Sequence, residues 1–358
     1  MSRKLASRKA ARTHWEGDLM GYVITLDTGT TNTRATLLRH SGEVVAQVST
    51  AVGVRDTAIT GSNKKLTLAV RDALSKLVED EGITFRDVKR IMASGMITSN
   101  VGLVEIPHIT APVTMNDLAL QVQEILIPDI CPIPLCFIPG VKNSDQPVTQ
   151  ETAAAMDIMR GEETEVWGVT PQLTPGKPAL LVLPGSHMKF VALDEEQRIT
   201  GCMTSISGEL LDCIVKNTII ADSTNRLFPT EDIYDREMVL EGYESGRAQG
   251  LGRACFTGRI ISQFAHLSPE AVANFILGAV LSCDIQAITS NTCITVPENA
   301  QVVIAGKNPF RQAMADIMTH AKLFGQVQTL VPDSRLPLSA AGALAIAGAM
   351  DHTDNLTA

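Results

Sequence analysis

"YVITLDTGTTNTRATLLRHSG", Tyr22–Gly42, decides the fold. Val23–Leu26 is a short apolar run that reads as a buried strand. Asp27–Asn32 is a turn of Asp, Gly, Thr and Asn with little apolar surface to bury. Thr33–Arg39 alternates as a second strand, Ser41–Gly42 turns the chain, and Val44–Ser49 is predicted as a third. Gly29 lets a ligand approach the backbone closely. Thr30, Thr31 and Asn32 set side-chain donors beside backbone N–H groups, which suits phosphate oxygens. Asp27, at a strand end, is placed to hold Mg²⁺ through water. The Walker pattern G-x-x-x-x-G-K-[ST] is absent. By itself the stretch serves equally well as a structural turn.

The chain of 358 residues is long enough for two domains, and 45% apolar residues can fill their cores. A net charge of −9 argues against nucleic acid or an anionic membrane as the main partner. Seven cysteines, an odd number with no C-x-x-C pair, suit reduced thiols in the cytoplasm. "CPIPLC" has no second Cys/His pair at zinc spacing. No uninterrupted apolar run reaches the ~18 residues of a membrane span. Residues 1–20 are basic and lack the apolar core of a secretory signal. They suit a disordered basic tail better than an organellar presequence.

Further along, Lys65–Glu81 carries Leu66, Ala69, Val70, Ala73, Leu74 and Leu77 at helical spacing. Val88–Ala93 is a predicted strand entering the Gly/Ser/Asn loop "SGMITSNVGL". Met115–Ile127 and Glu151–Arg160 are predicted helices, with a boundary near Asn143. Then the opening pattern returns. Ala179–Leu183, Met188–Leu193 and Ile199–Ser205 are strands, joined by "PGSH" and "DEEQR" turns. The repeat is one of pattern, since identity between the copies is negligible. Helices are predicted at Gly208–Ile220, Glu237–Gln249 and Pro269–Thr289. After them come the strand and Gly turn of "QVVIAGK", a helix capped by Gly325, the strand Val327–Val331 and a small-residue helix in "LPLSAAGALAIAGAM". Alternating strands and helices make an α/β protein.

Three further motifs could carry chemistry. "LPGSHMK", Leu183–Lys189, is a second Gly turn between strands, with Ser186 and cations nearby. Two such turns, one per half, could grip one polyphosphate from both sides. "IAGK", Ile304–Lys307, is a Gly turn opening a helix that could admit a flat base. "RGEET" sets Glu162 and Glu163 at a helix start. A carboxylate there could take a proton from a substrate hydroxyl, though acids are also favoured at helix starts for electrostatic reasons.

With two β-triplets, their Gly turns and a later "AG" turn in place, the chain resembles the actin-like ATPase fold of sugar kinases. Within that fold it resembles the 2-dehydro-3-deoxygalactonate kinase family. The segments that carry the resemblance are "DTGTTNTRA", "ASGMITSNVGL", "IPGV", "MRGEET", "LVLPGSHMKFV", "MTSISGELL" and "VVIAGKNPF", in family order from Tyr22 to about Ala349. Thr28 stands where the family usually has an aromatic. "SGEL" replaces "TGEL", and "SGM" replaces "AGM".

The resemblance implies a two-domain actin-like ATPase (ribonuclease H-like) fold with duplicated β-triplets and an interdomain cleft. Residues 21–143, completed by helix 338–350, would form one domain and residues 144–337 the other. It implies ATP and Mg²⁺ as cofactors. Asp27, Gly29, Thr30, Thr31 and Asn32 would meet the β/γ-phosphates and the metal, Gly185, Ser186 and His187 the phosphates from the other side, and Ala305, Gly306 and Lys307 the adenosine. Glu163, with Glu162 next, matches the position of the catalytic carboxylate. For the sugar acid, Arg34 is a candidate partner of the carboxylate, and Ser99 and Asn100 could bond hydroxyls. Lys189 faces either cleft or solvent. The implied activity is phosphorylation of the 6-hydroxyl of 2-dehydro-3-deoxy-D-galactonate by a cytoplasmic enzyme, and a homodimer is allowed. A kinase for another sugar acid, or a nucleotide-binding sensor without transfer, are the alternatives.

Overall fold

The computed structural model describes residues 21–357, so the basic segment 1–20 lies outside the described residues. The first lobe is built on β1 (Tyr22–Thr28), β2 (Thr33–Arg39) and β3 (Val44–Thr50). Two helices, α1 (Val54–Thr60) and α2 (Lys64–Asp80), lead into β4 (Val88–Gly95). Short β5 (Ile109–Thr110), α3 (Met115–Gln121), β6 (Gln123–Ile125) and β7 (Leu135–Phe137) follow. Its sheet runs β3-β2-β1-β4-β7-β6. β8 (Val141–Lys142) and β9 (Ile158–Met159) join β5 in a small sheet and lead to α4 (Glu162–Val169).

The second lobe repeats the plan. β10 (Ala179–Leu183), β11 (Met188–Leu193) and β12 (Ile199–Ser205) form the triplet. They are followed by α5 (Ser207–Asn217), α6 (Arg236–Gln249), α7 (Leu251–Phe264) and α8 (Pro269–Ser290). The chain then forms β13 (Gln301–Ala305), α9 (Phe310–Ala321), β14 (Val327–Leu330) and α10 (Leu338–Thr357). The sheet order is β12-β11-β10-β13-β14. In each lobe the first strand pairs antiparallel with the second and parallel with the strand that follows the helices. The duplication is therefore present in topology, with hydrogen-bond sense as well as order preserved.

Alternation along the strands decides which core each side chain enters. Ile24 and Leu26 pack with Leu66, Val70 and Leu74 of α2, whereas Val23 turns to Ala343 and Ile346 of α10. In the second sheet, Leu180 and Val182 meet α8, while Leu181 and Leu183 enter the same core as α10. That shared core holds the lobes together through α4 and α10. Their backbones touch: a Cβ on Gly342 would lie 1.7 Å from the Thr164 carbonyl oxygen, and one on Gly168 would lie 2.3 Å from that of Leu338.

Among the described residues, α8 is long and apolar enough to cross a membrane, and 78% of its apolar window is buried. A helix apolar on every side belongs in a core, and this one is the central helix of the second lobe.

Four local expectations are corrected. The helix predicted over Met115–Ile127 stops at Gln121, because Gln123–Ile125 pairs antiparallel with β7 at the sheet edge. Glu151–Arg160 is not an α-helix; it holds one 3-10 turn, Ala153–Ala155, and then runs extended into β9. Thr149 and Thr152 exchange side-chain hydrogen bonds with each other's backbone N–H, which competes with helical bonding. Asp157 then anchors the chain by accepting from Thr204 N–H at 2.6 Å and Thr204 Oγ1 at 2.9 Å. The cap of α9 is Lys322 in the left-handed region (φ 54°), not Gly325, since the chain must turn early to reach β14 beside β13. Finally, α1 and α7 were not anticipated.

Candidate active site

The first turn is an exposed loop held from behind. Gly29 N–H donates to the Asn32 carbonyl at 2.9 Å. The carbonyls of Gly29 and Thr30 accept from Val54 and Arg55 N–H at the start of α1, at 3.2 and 2.8 Å. Gly53 permits this contact, since a Cβ there would lie 2.5 Å from the Gly29 oxygen. Thr30, Thr31 and Asn32 thus remain at the surface with their backbone fixed.

The second turn is built the same way. Ser186 carbonyl accepts from Glu209 N–H at 3.1 Å, and Gly208 allows α5 to press on the turn, a Cβ falling 2.4 Å from the Gly185 oxygen. His187 Nε2 lies 3.2 Å from Glu209 Oε1. Beneath, Asp284 Oδ1 accepts from both Ser205 Oγ (2.5 Å) and Ser207 Oγ (2.6 Å), fixing the first turn of α5. Burial pushes the Asp284 carboxyl up to about 6.

The third turn abuts the second: a Cβ on Gly306 would lie 2.9 Å from Pro184 Cδ. Beside them opens a cavity of about 500 Å³ lined by Gly185, Ser186, Glu209, Asp212, Phe228 and Phe310, among others. The rings of Phe228 and Phe310 lie 6.0 Å apart. Ala305 is buried under this turn and Lys307 is exposed. The sequence reading missed Phe228, Phe310 and the α5 residues. The polar stripe Glu209, Asp212, Lys216 opposite Leu211, Ile214 and Val215 was the available signal.

Between the two triplets stands the N-terminus of α4. Gly161 (φ 111°) caps it against Gly95 (φ 81°), with a Cβ on Gly161 only 3.0 Å from Gly95 Cα. Both positions lie in the left-handed region that glycine tolerates. Glu163 is 0% exposed, and both its carboxylate oxygens accept from Gly161 N–H, at 2.8 and 2.7 Å. The side chain of the neighbouring Glu162 is 28% exposed; its Oε2 accepts from Arg160 N–H at 3.0 Å and its Oε1 lies 3.9 Å from Lys189 Nζ.

Asp27 faces this helix from the end of β1. Its Oδ2 accepts from Ser339 Oγ at 3.0 Å, and its register partner on β2 is Arg34. Burial raises the Asp27 carboxyl; the Ser339 hydrogen bond and Arg34 pull it back, while Glu162 adds to the rise. Glu165, which the sequence reading missed, joins the group. Its carboxyl is pushed up to about 8 by burial, then by Asp27, Glu162 and Glu163, with Arg34 opposing. Glu163 also reaches about 8, through burial and then Glu162. Helical spacing from Glu162 to Glu165 was the signal for the missed residue.

The remaining candidates divide. Arg34 sits among Asp27 and Glu165, at the acidic end of the site. Ser99 Oγ donates to the Met96 carbonyl at 2.7 Å, and Asn100 is exposed beside it. Lys189 is 5% exposed and faces neither open cleft nor solvent; its Nζ donates to the Ile158 carbonyl (2.9 Å) and Thr204 Oγ1 (2.5 Å).

The acidic group bears on Mg²⁺. Two carboxyls driven to about 8 by burial and mutual repulsion mark a place short of positive charge. Among the described residues no three acidic, histidine or cysteine side chains converge to cage a metal. Asp27, a single carboxylate beside the exposed first turn, is a donor of the kind that suits Mg²⁺, which is commonly bound through one or two carboxylates, waters and substrate phosphates.

Duplicated β-triplets with glycine turns, a helix of acids between them and a nucleotide-sized cavity define a protein of the actin-like ATPase fold with a kinase-type site. The chain belongs to the 2-keto-3-deoxy-galactonokinase family, which it matches over residues 27–335. It is 30% identical over 203 residues to a Rhizobium meliloti (strain 1021) protein named probable 2-dehydro-3-deoxygalactonokinase DgoK1, an alignment spanning 56% of this chain and 58% of that protein. It is 26% identical over 276 residues to the 2-dehydro-3-deoxygalactonokinase of Escherichia coli (strain K12), covering 74% and 80% of the two chains. A crystal structure from Sinorhizobium meliloti, provisionally described as a 2-dehydro-3-deoxygalactonokinase, superposes with a TM-score of 0.70 at 18% identity, covering 93% of this chain and 99% of that one.

Proposed function

We propose that this protein is an ATP- and Mg²⁺-dependent kinase that phosphorylates the 6-hydroxyl of 2-dehydro-3-deoxy-D-galactonate. The observation that carries the reading is the position of Glu162. It interacts electrostatically with Asp27 behind the first turn and lies 3.9 Å from Lys189 just after the second. One helix end therefore stands between both phosphate turns, and family membership supports the sugar acid as acceptor.

In this reading the cavity beside Phe228 and Phe310 takes the nucleoside, with Ala305, Gly306 and Lys307 at its edge. Gly185, Ser186 and His187 meet the phosphates from one side and Gly29, Thr30, Thr31 and Asn32 from the other. Asp27 holds Mg²⁺ through water, and the ion supplies positive charge to the transferring phosphoryl group. Glu163 is the general base: burial keeps its carboxyl near 8, matched to a proton taken up near neutral pH. Its lack of exposed surface means that the acceptor hydroxyl reaches it only as the cleft rearranges around Gly95 and Gly161. Ser99 and Asn100 bond sugar hydroxyls, and Arg34 pairs with the substrate carboxylate. Lobes of residues 21–143 with 338–350, and of 144–337, close on the substrates and exclude water. A cytoplasmic location belongs to the same reading.

The test is ADP release coupled to a panel of acceptors, with the product's phosphate position assigned by NMR. We expect 2-dehydro-3-deoxygalactonate to be preferred over galactose, because a site built for a carboxylate leaves polar groups unpaired with a neutral sugar, and over its gluconate epimer, whose inverted hydroxyl leaves its own partner in the site unpaired. Equal turnover of galactose overturns the sugar-acid reading. Tight nucleotide binding without transfer to any acceptor overturns the kinase reading in favour of a sensor.

A further inference from the structure

We propose that Arg160, which precedes the acidic helix, is a positioning residue that locks the sugar-side loop to that helix; the inference rests on the kinase reading above. Four hydrogen bonds run from its guanidinium into the loop after β4. Nη1 donates to the Thr98 carbonyl at 2.7 Å and to Thr98 Oγ1 at 2.6 Å. Nη2 donates to the Ile106 carbonyl at 2.9 Å and lies 3.2 Å from His108 Nδ1. Burial, Arg160 and Lys142 push the His108 ring down to about 4, so it is neutral near pH 7 and its Nδ1 accepts.

The loop so held carries Ser99 and Asn100. Its two ends, Thr98 and His108, are drawn to one planar group, which a lysine ammonium cannot reproduce in the same fork. The backbone of the same short segment holds the acids: Arg160 N–H donates to Glu162 and Gly161 N–H to Glu163. Loop and base are thus referred to one anchor, which is how a base and an acceptor hydroxyl are kept in register.

Arg160→Lys keeps the charge and loses the fork; Arg160→Gln loses both. Hydrogen–deuterium exchange of residues 97–108 should rise ~10-fold or more in both variants, as expected for lost charge-assisted bonds of ~1.5–3 kcal/mol, with residues 183–190 unchanged. KM for the best acceptor of the panel should rise ~10-fold in Arg160→Lys, with KM for ATP unchanged. Unmoved loop exchange, or an unchanged acceptor KM in Arg160→Lys, overturns the proposal. If the wild type phosphorylates no acceptor, the kinase reading falls, and loop exchange still decides the role of Arg160.

Discussion

Ser339 donates a 3.0 Å hydrogen bond to Asp27 across 312 positions of the chain. The last helix thereby holds the carboxylate of the first turn, and it does so while crossing α4, which carries the other acids. The hydrogen bond favours ionised Asp27 against the effect of burial. Ser339→Ala should raise that carboxyl and weaken its hold on Mg²⁺. We expect the Mg²⁺ requirement at fixed ATP to rise ~10-fold, in line with ~1.5–3 kcal/mol for a hydrogen bond to a charged group. An unchanged Mg²⁺ titration would detach Ser339 from the metal.

Glu163→Gln should lower kcat by ~10²–10⁴-fold, the usual loss of a general base, and leave nucleotide affinity intact. Glu162→Gln and Glu165→Gln are the comparators. If Glu162→Gln suffers the larger loss, the base is the more exposed of the pair; if Glu165→Gln does, the acceptor hydroxyl lies nearer Asp27 than proposed.

The acids also make stability depend on pH. Glu163 and Glu165 are raised from 4.5 to about 8 in the folded protein, which therefore binds more protons than the unfolded chain between those values. Their contribution is largest below 4.5 and is lost as the pH rises to about 8. Glu163→Gln should flatten the fall in Tm across that window and leave the variant more stable than wild type at its upper end. Scanning calorimetry at stepped pH, with parallel curves for both proteins, would remove Glu163 from this linkage.

Gly342→Ala should destabilise the protein, because the added methyl lands 1.7 Å from the Thr164 carbonyl oxygen and forces α4 and α10 apart. Overpacking typically costs ~1–3 kcal/mol. Gly348→Ala on the same helix meets nothing within 4 Å and should instead gain the helix propensity of alanine, ~1 kcal/mol. Denaturant unfolding of the two variants must shift in opposite directions for the tight helix crossing to stand.

Asp284→Ala should loosen the second glycine turn, proposed to bind phosphate, from below. Ser205 and Ser207 lose their shared acceptor, and α5 no longer holds Gly208 against Gly185. We expect KM for ATP to rise several-fold with KM for the acceptor unchanged. A rise confined to the acceptor would show that the serines support a different surface.

Residues adjacent in sequence determine the strand–turn–strand units. Their period-2 apolar runs, and the Gly, Asp and Thr between them, specify hairpins locally, so both triplets and both glycine turns were legible at Asp27–Asn32 and Pro184–His187. The same is true of Glu162 and Glu163, whose acids mark a helix start. The sequence alone did not determine the support behind these turns. Gly53 and Gly208 matter because another backbone would meet a Cβ there within 3 Å, and Gly306 because the Pro184 ring would, facts set by tertiary packing. Nor could it pair Ser339 with Asp27, or direct Arg160 into the Thr98–His108 loop, since such bonds join distant segments and leave no local period. Glu151–Arg160 shows the same limit in reverse: its composition allows a helix, but only a 3-10 turn forms at Ala153–Ala155, and hydrogen bonds from Thr204 to Asp157, 47 residues away, hold the rest extended. Local propensity is worth tenths of a kcal/mol per residue, and tertiary hydrogen bonds and burial outweigh it.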